Sequence, residues 1–284
     1  MKRILIAGAA SYLGERMAAW LARTPDRFAC ETLDMRGDAW RAFDFSGFDA
    51  VVMVAGIAHR AETPDTEALF EAVNHRLPVE TAQKAKREGV AQFVFFSTMS
   101  VYGLTVGRIH AGTPPAPVTQ YGRSKLAAEE DLSVLADARF HVAVLRPPMI
   151  YGRGCRGNYP RLSALARKAP FFPRVPNERS MLHIDCLCLF MVRLLESGAG
   201  GLYFPQNEAF VPTDTLIRLI ARAHGRRLWQ PQGLGWLLRR LAKRGGTAGK
   251  VFGTLTYDQA MSGAFREDPQ PSLAETIRRT EAQA

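Results

Sequence analysis

Along the first half of the chain, hydrophobic residues fall in short unbroken runs separated by segments of helical spacing. KRILIA (2–7), FACETLDM (28–35), DAVVMVAG (49–56) and QFVFFST (92–98) are apolar runs of strand length, and VAVLRPPMIYG (142–152) reads as a fifth. Between them, Tyr12 to Ala22, Thr66 to Glu88 and Gly122 to Leu135 repeat apolar residues three to four apart. Strands that are apolar throughout must be covered on both faces, and the alternating helices supply that cover. The pattern predicts an α/β fold, a doubly wound parallel sheet, over residues 1–150. Beyond Ile150 the rhythm loosens, with glycine and proline punctuating YGRGCRGNYPRL and KAPFFPRVPNERS. Helices at about Ile184–Glu196 and Thr213–His224 then predict a smaller region over 151–284, with some return of chain to the sheet. Such a region would lie as a lid at the carboxyl ends of the strands, where open α/β sheets bind ligands.

Composition excludes several classes. A chain of 284 residues that is 47% hydrophobic can bury a large core, which rules out disorder. No apolar run approaches the roughly 18 residues that span a bilayer. The apolar part of MKRILIAGAA is too short for a signal peptide, so a cytoplasmic protein is expected. Cys30, Cys155, Cys186 and Cys188 lack the paired spacing of zinc or redox sites and are read as reduced and structural, with no metal expected. The formal charge of +10 favours anionic partners, whether nucleic acid, acidic membrane or a phosphorylated small molecule.

Candidate chemistry begins at GAASYLG, residues 8–14. A dinucleotide turn needs a tight bend after the strand, a backbone close to the pyrophosphate and a helix N-terminus facing it. Gly8 and Gly14 meet the first and last needs. Ser11 takes the middle position, where its hydroxyl can donate to a phosphate. Taken alone, such a turn fits a plain strand-to-helix connection equally well. Asp34 closes the second strand near the position where a carboxylate accepts from an adenosine ribose, although a solvated loop carboxylate would look the same. Arg36 follows and can instead hold a 2′-phosphate, which leaves NAD and NADP both open.

QYGRSKLAAEEDL places Tyr121 and Lys125 four apart at a helix start, on one face. A neighbouring ammonium would lower the phenol's pKa toward neutrality and make Tyr121 a usable acid/base. Thr98 ends the fourth strand, where its hydroxyl can hold a reacting oxygen. An isolated Tyr-x-x-x-Lys is usually a routine exposed pair, so the combination carries the reading.

In this combination the chain resembles the extended short-chain dehydrogenases/reductases, of the NAD-dependent nucleotide-sugar epimerase/dehydratase kind that is UDP-glucose 4-epimerase-like. The likeness runs in order from Gly8 to SLAETIRRT (272–280). It implies a Rossmann domain followed by a smaller substrate-binding region. By the resemblance Gly8, Ser11, Tyr12, Leu13 and Gly14 cradle the pyrophosphate of NAD, with Asp34 and Arg36 at the adenosine ribose and Asp44 and Phe45 flanking the adenine. Val54, Ala55 and Gly56 line the cofactor, and Asn74 lies beneath the site. Thr98, Tyr121 and Lys125 are the catalytic residues, Lys125 also holding the nicotinamide ribose. Ser100, Asn158 and Arg179 join Thr98 and Tyr121 at the substrate, Arg179 meeting a nucleotide diphosphate.

The departures are informative too. Family members that remove water carry Asp and Glu after the catalytic threonine, whereas Met99 and Ser100 stand here, which argues against a dehydratase. His183 and Asp185, in NERSMLHIDCL, are read as packing and capping at a helix start. GLGWLLRRLAKRGG, residues 233–246, interleaves Trp236, Leu237, Leu238 and Leu241 with Arg239, Arg240, Lys243 and Arg244. Such a stretch can rest on an anionic membrane, but an amphipathic helix packed on the small region is the favoured reading. Nothing resembles a nucleic-acid reader. The expected activity is 4-epimerisation of a UDP-hexose or UDP-N-acetylhexosamine through a 4-keto intermediate, in surface polysaccharide synthesis. Two alternatives remain: an NADPH-dependent reductase of 4-keto nucleotide sugars and a non-catalytic dinucleotide-binding sensor. The expected partner is a nucleotide-diphosphate sugar, and a homodimer is left open.

Overall fold

A computed structural model describes residues 1–58, 60–231, 233, 240, 249, 251–265 and 270–282. Most of the basic stretch, including Trp236, Leu237, Leu238, Arg239, Leu241, Lys243 and Arg244, lies outside the described residues. The chain forms two compact units, Met1–Gly103 with Pro114–Pro147 and Cys188–Pro205, and Leu104–Thr113 with Pro148–Leu187 and Gln206–Ala284.

In the first unit, β1 (Lys2–Ala7), β2 (Phe28–Leu33), β3 (Ala50–Met53), β4 (Gln92–Phe96), β6 (His141–Leu145) and β9 (Gly201–Tyr203) form one parallel sheet in the order β2-β1-β3-β4-β6-β9. This is the doubly wound Rossmann architecture the apolar runs predict. Ile4, Leu5, Ile6, Val51, Val52, Phe93, Val94 and Phe95 are wholly buried, so both faces of the sheet are covered and the runs cannot alternate. On one face Leu5, Val51, Met53, Phe93 and Phe95 share a core with Ala82 and Ala85 of α3 (Leu77–Arg87) and with Ala128 and Leu132 of α4 (Gln120–Leu135). Strand order reverses beside β1, where β2 lies to one side and β3 to the other, so the crevice of a doubly wound sheet opens at the carboxyl ends of β1 and β3.

Helix starts follow local capping chemistry. Ser11 caps α1 (Tyr12–Leu21), and Thr119 caps α4 by accepting from Gly122 N at 3.0 Å. The helix expected over Thr66–Glu88 begins earlier, because Thr63 and Thr66 form a capping box ahead of α2 (Pro64–Phe70). It also carries a π-helical turn, Glu71–Arg76, before α3.

The fifth apolar run is two strands rather than one. β6 stops at Leu145, because Pro147 and Pro148 offer no N–H to a ladder and fix the backbone. The chain resumes as β7 (Met149–Tyr151), which pairs in parallel with β8 (Met181–His183) in the second unit. That unit also pairs β5 (Gly107–Ile109) with β10 (Leu255–Tyr257). Its core gathers Tyr151, Tyr159, Phe172, Val175, Leu216, Ile217, Ile220 and Ile277. These come partly from α5 (Asn158–Lys168), α6 (Thr213–Ala223) and α7 (Leu273–Glu281). Glu281 accepts from Tyr159 at 2.7 Å and from Ser163 at 2.9 Å, tying the C-terminal helix to α5. Among the described residues no helix is long and apolar enough to cross a membrane. All four cysteines are free thiols.

Candidate active site

Gly8 leaves β1 with φ of +132°, a region L side chains rarely adopt. A Cβ there would lie 2.7 Å from Ala55 N and 2.9 Å from Val54 Cγ2, so only glycine lets the turn press against the end of β3. The amides of Val54 and Ala55 both donate to Ala7 O, at 3.0 and 2.9 Å, which holds Val54–Gly56 beside the turn. α1 then starts at the switch point. Its first-turn amides, from Tyr12 and Leu13, occupy positions an α-helix cannot bond internally and would leave to an anion.

Ser11 behaves differently from expectation. Its hydroxyl donates to Gly8 O at 2.8 Å and accepts from Gly14 N at 3.0 Å. The proton expected to meet a phosphate is therefore spent on the turn, and Ser11 acts as a helix cap that rigidifies it. Phe45 departs too: its ring is buried in the core, 6.1 Å from the Phe43 ring and 4.9 Å from Lys84 Nζ. Its backbone N–H is also taken, by Glu88 Oε2 at 2.7 Å, whereas Asp44 is exposed. Asp34 and Arg36 are one chelate, with Arg36 Nε at 3.0 and 2.9 Å from the two Asp34 oxygens and Arg36 N at 3.0 Å from Oδ1. These bonds hold the carboxyl down at about 2.

At the carboxyl end of β4, Thr98 caps a short 3₁₀ turn, Met99–Tyr102, by accepting from Ser100 N at 3.1 Å, and its hydroxyl reaches Ser100 Oγ at 3.2 Å. α4 delivers Tyr121 to the same place. The approach depends on Gly122, where a Cβ would sit 2.8 Å from Ser100 O and 3.0 Å from Pro117 Cβ. The Thr98 hydroxyl consequently lies close enough to the Tyr121 phenol to act on its ionisation.

The electrostatics correct one expectation. Burial pushes the Tyr121 phenol up, and the Thr98 hydroxyl is the opposing influence. Lys125 is 5% exposed and is itself pushed down to about 7 by burial, with Glu129 pulling the other way. A lysine part-neutral at physiological pH cannot lower its neighbour's pKa as a full ammonium would. Lys125 Nζ lies 4.5 Å over the Phe95 ring, and among the described residues no acceptor takes a hydrogen bond from it.

Two parts of the surroundings carry no motif of their own. Asn74, fully buried on the π-helical turn, binds Ile57 through both its amide atoms, accepting from N and donating to O at 2.9 Å each. A Cβ on Gly56 would lie 3.1 Å from Asn74 Oδ1 and 3.4 Å from Lys125 Nζ, so these groups line one spot. Behind them Arg146 Nε meets both Glu129 oxygens, at 3.1 and 3.0 Å, while Arg146 Nη1 donates to Tyr102 at 2.8 Å and Ser97 Oγ donates to Glu129. Sequence reasoning missed this buried network. Its one signal is a carboxylate four residues after Lys125 and an arginine ending an apolar strand.

A dinucleotide fits these residues: a glycine-tight turn at a helix N-terminus, a carboxylate after β2, and a buried lysine beside Gly56 with its donors unspent. In the second unit, Asn158 is exposed at the first position of α5. Arg179 Nη1 donates to Gly253 O at 3.0 Å, burial pushes its pKa down, and among the described residues no carboxylate pairs with it. His183 is buried against the Tyr151 ring at 5.1 Å and accepts from Asp185 N at 3.3 Å, as packing and capping require.

Residues 4–202 match the profile of the NAD dependent epimerase/dehydratase family. The chain belongs to that family. Membership makes it an NAD-dependent enzyme of epimerase type, as its motifs imply. Among characterised relatives, it is 28% identical to a UDP-glucose 4-epimerase of Vibrio cholerae over 229 residues, covering 77% of this chain and 68% of that protein. It is 29% identical over 181 residues to an N-acetyl-alpha-D-glucosaminyl-diphospho-ditrans,octacis-undecaprenol 4-epimerase of Escherichia coli O157:H7. That match spans 62% of this chain and only 54% of the relative. The fold is shared with a crystal structure of UDP-glucuronic acid 4-epimerase from Bacillus cereus in complex with NAD. The TM-score is 0.75 at 18% identity, covering 98% of this chain and 95% of the other.

Proposed function

We propose that the protein is a 4-epimerase of a nucleotide-diphosphate sugar, a UDP-hexose or UDP-N-acetylhexosamine, acting in surface polysaccharide synthesis. The observation that carries this reading is the Thr98 hydroxyl acting on the Tyr121 phenol at the sheet's carboxyl end, with Lys125 buried one helical turn on. Bound NAD would supply a hydride acceptor and donor. Gly8, the α1 N-terminus, Asp34 and Val54–Gly56 would hold it, with Lys125 at its nicotinamide ribose.

Tyr121 Oη takes the proton of the sugar 4-hydroxyl as C4 is oxidised, and returns a proton when the 4-keto sugar is reduced on its other face. Thr98 donates to the reacting oxygen and Ser100 steadies Thr98. Met99 and Ser100 offer no carboxylate for eliminating water, which supports epimerisation over dehydration. Arg179, half-buried and with no carboxylate partner among the described residues, has the forked donors that suit a diphosphate. The curated relatives are both 4-epimerases, which supports the position of attack.

One observation favours a second reading. Arg36 already occupies both oxygens of Asp34, and its exposed guanidinium would suit a 2′-phosphate. The protein would then be a reductase of 4-keto nucleotide sugars that consumes NADPH. To test the two, the dinucleotide that copurifies is identified and the protein is incubated with UDP-hexoses and UDP-N-acetylhexosamines under NMR. A bound NAD with epimer formed over many turnovers is expected. An empty protein that makes no epimer and oxidises one NADPH per 4-keto sugar overturns the epimerase.

A further inference from the structure

The second unit carries an arginine-rich face around an exposed aromatic pair, and the proposed chemistry uses neither. Phe171 and Trp229 are joined by a parallel β-bridge, with Phe172 N donating to Trp229 O at 3.0 Å and Arg174 N to Pro231 O at 3.2 Å. Their rings pack edge to face at 6.0 Å, yet Trp229 is 68% and Phe171 47% exposed. Beside them, Arg218, Arg222, Arg226 and Arg227 line a hollow of about 640 Å³. Arg226 fastens the hollow to α5 by donating to Ala166 O at 3.1 Å and Ala169 O at 3.2 Å, which also brings the basic last turn of α5 to this face.

The charge is uncompensated. Residues 161–174 contain no Asp or Glu, and among the described residues no carboxylate pairs with Arg167, Lys168, Arg174, Arg218, Arg222 or Arg227. A fold that gains nothing from leaving a tryptophan and six cations in water presents them to something apolar and anionic at once. Anionic bilayers have that character, with arginines meeting headgroup phosphates and amphipathic rings resting at headgroup depth. Nucleic acid suits the face less well, since the two rings close on each other edge to face instead of offering separate flat surfaces to successive bases.

We propose that this face of the second unit docks peripherally on an anionic membrane, the arginine hollow receiving lipid phosphates and the Phe171–Trp229 pair entering the interface. The proposal is independent of the activity. The purified full chain is sedimented with vesicles of phosphatidylcholine alone and of equimolar phosphatidylcholine and phosphatidylglycerol, over a salt series. Binding is expected to the anionic vesicles only and to weaken with salt. Neutralising Arg222 or Arg227 with alanine is expected to lower the partition coefficient about fivefold each. The F171A/W229A double variant is expected to bind less at every salt concentration. Both side chains are exposed, and an unchanged far-UV spectrum and dinucleotide content show that each variant is folded. Absence from the anionic vesicles, equal binding of folded variants and parent, or capture of single-stranded DNA with vesicles ignored would each overturn the proposal.

Discussion

Thr98, at the end of β4, sets its hydroxyl near the phenol of Tyr121, at the start of α4, and opposes the rise that burial imposes on the phenol. The expected consequence concerns pH. If Tyr121 acts as phenolate, turnover rises as the phenol ionises, so Thr98→Val should move the acid limb of the kcat profile to higher pH. Tyr121→Phe should lower kcat about 10²–10⁴-fold while leaving the dinucleotide bound.

Lys125 makes stability and function oppose each other. Its proton is held up to 10.5 in an exposed chain but only to about 7 in the folded protein. Between those values the unfolded chain binds more protons, so this residue makes stability rise with pH from about 7 upward. Lys125→Met should therefore melt higher at pH 7, show a shallower rise of melting temperature with pH than the parent, and lose turnover.

Glu129 and Arg146 form a buried pair, about 7–8% exposed, whose loss on one side strands the other charge. Glu129→Leu should cost about 3–5 kcal/mol in urea denaturation. The E129L/R146M double variant should recover most of that, because two apolar chains leave no charge in the core. Activity should not recover with it, since Ser97, Tyr102 and α4 lose the network that holds Thr98 against Tyr121.

Much of this is legible in the sequence alone, and the reasons are physical. Strands buried on both faces leave unbroken apolar runs, so β1, β3 and β4 were visible. β9 has only three residues, two of them exposed, and left no such run. The Pro147–Pro148 break was written in the sequence, but an apolar run on either side concealed it. Spacing sets Tyr121 and Lys125 on one helix face, the end of an apolar run marks Thr98, and the family resemblance is what joins the three. The state of their protons is not legible there, because it depends on burial and on Glu129 and Arg146, which meet only in three dimensions. Ser11 shows the same limit: its residue type suggested a phosphate donor, whereas its hydrogen bonds belong to the turn.

We propose that the Asp34–Arg36 chelate sets the choice of dinucleotide. Arg36→Ala frees the carboxylate and removes the cation, so affinity for NAD relative to NADP, measured by calorimetric competition, should rise. Asp34→Ala should shift the ratio the other way.

The most direct test of the central claim follows the hydrogen at C4. A nucleotide sugar deuterated at C4 is converted in ordinary water and the epimer is read by NMR. Oxidation and reduction at C4, with Tyr121 moving only the hydroxyl proton, predicts an epimer that keeps its deuterium at C4 with no net consumption of dinucleotide. An epimer that has lost its label to solvent, or no epimer from any UDP-hexose or UDP-N-acetylhexosamine, would contradict it.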